Sequence, residues 1–71
     1  MAVVQLCVLE VERTWRLLLN GEGLGRFALR SSALDCAEEI ARQSREEGEK
    51  VELLAQEPWG EMVVIEHAPW P

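Results

Sequence analysis

Apolar and polar residues alternate through most of this chain with the two-residue period of a β-strand, and one segment switches to the period of a helix. From Val3 to Val11 the apolar positions fall on both sides: Val4, Leu6 and Val8 on one face, Val3, Cys7, Leu9 and Val11 on the other. Both faces of this first strand are therefore expected to be covered. After a polar connection at Glu12 and Arg13, Thr14 to Leu19 predicts a second strand, with Trp15, Leu17 and Leu19 pointing one way and Thr14, Arg16 and Leu18 the other. Asn20-Gly21 opens a glycine-rich turn through Gly23 to Gly25, and Arg26 to Arg30 predicts a third strand with Phe27 and Leu29 inward and Arg26, Ala28 and Arg30 outward.

The period then changes. Ser31 or Ser32 offers an N-cap, Ser32 with Asp35 approximates a capping box, and a helix is predicted from about Ser32 to Glu47. Ala33, Leu34, Ala37, Ile40, Ala41 and Ser44 form its inward stripe, and the small alanines allow a close approach to the sheet. Asp35, Glu38 and Glu39 suit the positive end of the helix dipole, Glu38 and Arg42 are spaced for an ion pair, and Gly48 is the stop. Lys50 to Gln56 predicts a fourth strand with Val51, Leu53 and Ala55 inward, Glu57-Pro58-Trp59-Gly60 a tight turn, and Met62 to Glu66 a fifth strand that is apolar on both faces.

The predicted class is α+β: a five-stranded antiparallel sheet, in the order β-β-β-α-β-β, with one helix packed on one face. Residues 1–66 make one domain, and residues 67–71 a tail whose two prolines keep it from extending a sheet. The first and fifth strands lack a charged face, so they are expected side by side at the centre, in the order 3-2-1-5-4.

Trp15 in the second strand, the glycine-containing turn, the serine-capped helix with Ala37 and Ala41, and the strand-turn-strand end around Trp59-Gly60 resemble the small bacterial family catalogued as domain of unknown function 2188. The resemblance spans Val3 to Ile65 and implies the same fold. It brings no activity, since that family has none assigned. This chain departs from the pattern with Thr14 where glycine often precedes the tryptophan, and with Trp59 where a polar turn residue is usual.

Composition narrows the function classes. The 71 residues carry 13 acidic and 7 basic side chains, a net charge of −6 that repels phosphate backbones globally. A domain this small buries only about 60% of the surface its unfolded chain exposes, so a partner would add to a marginal stability. The 2 cysteines, Cys7 and Cys36, and the lone His67 fall short of a four-ligand zinc site, and free thiols are expected in a reducing compartment. The beginning of the chain lacks the basic and apolar regions of a signal peptide, and no run has the length of a membrane span, so a cytoplasmic protein with no cofactor and no metal is expected.

Candidate chemistry is thin. Gly21-Glu22-Gly23-Leu24-Gly25 has the glycines of a phosphate loop, but a strand follows where a helix terminus or lysine is needed, and Glu22 repels phosphate. Cys36 near the helix start with His67 as base would make a nucleophile pair, yet Asp35, Glu38 and Glu39 oppose a thiolate and no third group orients the histidine. The helix carboxylates read as a solvated face, and catalytic residues are not expected.

What remains is apolar surface that one helix cannot hide. The face it leaves open is expected to carry Val3, Cys7, Leu9 and Val11 from the first strand, Leu18 from the second, Leu54 from the fourth and Val63 and Ile65 from the fifth, with Trp70 docking from the tail. These residues point to a homodimer or a protein-interaction module, with arginines on the rim where Glu52 of a partner could meet them. The rival reading is a nucleic-acid-associated protein using Arg16, Arg26, Arg30 and Lys50. Against it, Trp15 and Phe27 have the core-facing parity and Glu52 falls among the cations. A third option is inhibition of a basic protein by the acidic helix.

Overall fold

The computed structural model describes residues 3–66, and His67 and Trp70 lie outside the described residues. Five strands and one helix follow in the order β1 (Val3–Val11), β2 (Thr14–Leu19), β3 (Glu22–Phe27), α1 (Arg30–Glu46), β4 (Lys50–Gln56) and β5 (Met62–Glu66). The α+β class with one helix on a five-stranded sheet is as the periodicity predicts.

Two-residue turns build the first three strands into a meander. Glu12 and Arg13 have φ of 51° and 67°, and Asn20 and Gly21 have φ of 49° and 88°, so both turns have the left-handed backbone that matches strand twist. Asn20 is also stitched to β1: its amide donates to the Gln5 carbonyl and its Oδ1 accepts from the Gln5 amide, each at 2.8 Å. Because Asn20-Gly21 completes the reversal alone, Glu22 already pairs with Leu19, and β3 runs from Glu22 to Phe27 rather than from Arg26 to Arg30. Gly23 and Gly25 lie in the strand, and the ladder shifts between Leu17 and Leu18.

The helix starts earlier than its serines suggest. Leu29 occupies the N-cap position in an extended conformation, exposed and without a side-chain cap, and the predicted Ser32–Asp35 box falls inside the helix. Arg30 holds this end in place: its Nε donates to the Gln56 carbonyl at 2.8 Å, and its guanidinium lies 3.6 Å from the Glu57 carboxylate. With the start at Arg30, no acidic residue lies in the first turn, and Arg42 pairs with Glu39 and Glu46 rather than Glu38. At the other end Gly48 has φ of 84°, its amide donates to Arg45 and the Glu49 amide to Ser44, the paired bonds of a Schellman stop.

The core lies between α1 and one face of the sheet. Leu6, Val8, Leu17, Val51 and Leu53 are fully buried there against Ala33, Ala37 and Ala41, with Trp15 8% exposed and Phe27 half-buried at the β3 side. The strand order is β3-β2-β1-β4-β5, which corrects the expected neighbours of β1. Three of the four pairings are antiparallel, but β1 and β4 are parallel. The reason is partly the crossover, since a helix is the connection a parallel pair requires. It is also the side chains: Gln5 Nε2 donates to Glu52 and the Glu10 amide donates to Gln56 Oε1, both at 2.8 Å, so polar groups of β4 serve as partners for β1 instead of marking an edge. β5 then returns through the Glu57–Gly60 turn, closed by the Gly60 amide on the Glu57 carbonyl at 2.8 Å, and takes the edge.

Candidate functional site

The face of the sheet opposite α1 is built by the odd-numbered residues of β1 and their register partners. Leu18 of β2 stands opposite Cys7, Cys7 opposite Leu54 of β4, and Leu54 opposite Val64 of β5. One row of apolar side chains thus crosses four strands. Gly23 extends this row onto β3, where a Cβ would meet the Leu18 methyl at an ordinary contact distance of 3.8 Å. Next to this row, Arg26, Arg16 and Leu9 align across β3, β2 and β1. On its other side lies the bonded Gln5–Glu52 pair. Val11 with Thr14 and Val3 with Lys50 close the two ends.

Val3, Cys7, Leu9, Val11, Leu18 and Leu54 therefore share this face. Val63 does not: it stands opposite Ala55, a buried residue on the helix side. Ile65 falls where the β4–β5 ladder shifts register, between the partners of Leu53 and Leu54. The side chains β5 gives to the open face are instead Val64 and Met62, 53% and 44% exposed, because the hairpin register places them opposite Leu54 and Gln56. Trp70 is outside the described residues. A register counted back from the Glu57–Gly60 turn was the signal that could have separated Val64 from Val63.

The four cations of the rival reading do not converge. Arg16 and Arg26 are directly opposite one another, a like-charge arrangement that costs stability on its own. Arg16 is half-buried, and its Nε is buried with no hydrogen-bond partner among the described residues. Arg30 belongs to the helix start, bound to Gln56 and Glu57. Lys50 is opposite Val3, whereas Arg16 is opposite Leu9, about 20 Å further along the strand.

The remaining chemistry is equally dispersed. Cys7 and Cys36 are both free and half-buried, Cys7 on the open face and Cys36 on the helix. Burial pushes the Cys7 thiol above its ordinary range, the reverse of an activated nucleophile. On the outer side of the helix, the hydrogen bond from Arg42 holds the Glu39 carboxyl below the usual carboxylate range, which is what an exposed ion pair does. Among the described residues, no three His, Cys, Asp or Glu side chains are grouped to hold a metal, and no helix is long and apolar enough to cross a membrane. Compared with protein-family models, curated proteins and solved structures, the chain finds no match in any of the three.

Proposed function

We propose that this is a non-enzymatic, cytoplasmic interaction domain that works by laying the open face of its sheet on another protein surface, in the first instance a second copy of itself. The row Leu18–Cys7–Leu54–Val64 with Leu9 beside it carries this reading. Fully burying an exposed large apolar side chain is worth about 1.5 to 3 kcal/mol, and since Cys7, Leu9, Leu18 and Leu54 are already half-buried within one chain, it takes most of the open face to yield roughly 5 to 10 kcal/mol per subunit. Two subunits contribute that gain against an association cost of about 4 to 15 kcal/mol. Leu9→Arg puts a charge beside that row without touching the helix-side core. It is expected to leave the fold intact by circular dichroism and to halve the mass measured by light scattering. A wild-type chain that stays monomeric at every concentration would refute the proposal for self-association.

A second reading rests on the adjacency of Arg16 and Arg26, which with Gly23, Leu24 and Gly25 border a shallow depression at the β3 edge. Such a site would take a phosphate backbone, and its signature is binding to single-stranded RNA or DNA that weakens steeply with salt. The net charge of −6 and the core-side placement of Trp15 and Phe27 weigh against it.

A further inference from the structure

The charges on the open face are placed about Cys7 as if about a centre. Arg16 is one strand from Cys7 towards β3 and two residues along in the direction of β1, because its register partner is Leu9. Glu52 is one strand from Cys7 towards β5 and two residues back, because its partner is Gln5. With strands ~4.8 Å apart and ~3.3 Å per residue, each charge is about 8 Å from Cys7, on opposite sides along one diagonal.

We infer that the partner of this face is a second copy of the chain, docked about a two-fold axis that passes over Cys7, midway between the two sheets and at right angles to that diagonal, so that Arg16 of each copy meets Glu52 of the other. This rests on the association reading above and adds to it the orientation of the second copy and the residues that meet across the axis. A two-fold axis lying between two stacked sheets exchanges the positions that flank it. An axis on this diagonal's perpendicular bisector therefore superposes an Arg16 on a Glu52 twice. The strands of the two sheets then cross at roughly 70°, nearer the orthogonal class of sheet packing than the aligned one.

Three features fit this occupant. Arg16 is half-buried and its Nε is already covered by its own chain with no acceptor among the described residues, so an incoming carboxylate would pair with the Nη side of the guanidinium. Glu52 is already steadied, since Gln5 Nε2 donates to its Oε1. At the axis itself stands a cysteine, a small apolar side chain that lets Leu9, Leu18 and Leu54 of both copies interleave around it. The like-charged Arg16–Arg26 neighbours would lose their mutual cost as Arg16 gains a carboxylate, while Arg26, exposed and two strands from Cys7, remains on the rim.

The test uses complementary charge reversal in the full chain. Arg16→Glu alone sets two glutamate pairs against each other, and Glu52→Arg alone sets two arginine pairs, so each variant is expected to raise the dimer dissociation constant about tenfold or more. Mixed together, the two variants should form a one-to-one heterodimer of wild-type affinity, because each reversed residue then finds its opposite. That recovery also shows that both variants are folded. A wild-type dimer that neither variant weakens would overturn this docking and leave the association reading standing. Weakening without recovery on mixing would overturn it as well. A wild-type monomer at all concentrations would remove both.

Discussion

Two short backbone segments are where single residues decide the local structure. Glu12 and Arg13 form their turn with φ of 51° and 67°, a left-handed conformation that costs a side-chain-bearing residue about 1 to 2 kcal/mol. The double substitution Glu12→Asn with Arg13→Gly supplies the pair of residues that such a turn favours, and is expected to raise stability by about 1 to 2 kcal/mol, read from the urea midpoint. The reverse holds at Gly48, where φ is 84° and a Cβ would meet nothing within 4 Å: Gly48→Ala should cost about 1 kcal/mol through backbone strain alone. Cys7 supplies a pH dependence. Burial raises its folded-state pKa, so the folded chain holds that proton to higher pH than the unfolded one. Stability from this group is intact below the ordinary thiol range and declines as pH rises through and above it. Cys7→Ala should therefore flatten the alkaline arm of a pH series of unfolding midpoints; an unchanged arm would mean another group causes it.

At the scale of elements, alanines set the distance between helix and sheet. Ala33 and Ala37 have no exposed surface and Ala41 only 1%, so their faces lie directly on the strand side chains. Ala37→Leu is expected to overpack this layer and cost about 1 to 3 kcal/mol, and Trp15→Ala to open it at about 3 to 5 kcal/mol, both measurable by denaturant unfolding. These contacts were legible in the sequence, because Trp15, Leu17 and the alanine stripe keep strict strand and helix periods. Element limits were less so. Asn20-Gly21 needed only two residues to turn, but the glycines beyond it looked like more turn; nothing in Gly23 or Gly25 announces that each sits in a ladder. Ser31 and Ser32 resembled caps, yet the anchoring of Arg30 to Gln56 and Glu57, which lie more than twenty positions away, moved the helix start to Arg30.

For the whole molecule, the sequence conveyed that an apolar face would remain uncovered, but not how that face is laid out. Two-faced apolarity in β1 and β5 suggested adjacent central strands. In β1 it does reflect a central position; in β5 it belongs to an edge whose Met62, Val64 and Ile65 are all more than 40% exposed. Periodicity reports how apolar a strand is and is silent about where it sits. Rim arginines meeting a partner's Glu52 could be expected from the residues alone, but the diagonal that singles out Arg16 exists only once β4 is set beside β1 in parallel.

That parallel pairing also dictates an order of events. β1 can acquire β2 through a two-residue turn as soon as both are synthesised, but its other edge has to wait for β4, more than forty residues later. Until then the nascent meander bears a row of unsatisfied amides and carbonyls down one side of its longest strand. A slow arrival of the helix and β4 would give strangers time to pair with that edge, and the hazard lies at the centre of the finished sheet rather than at its rim.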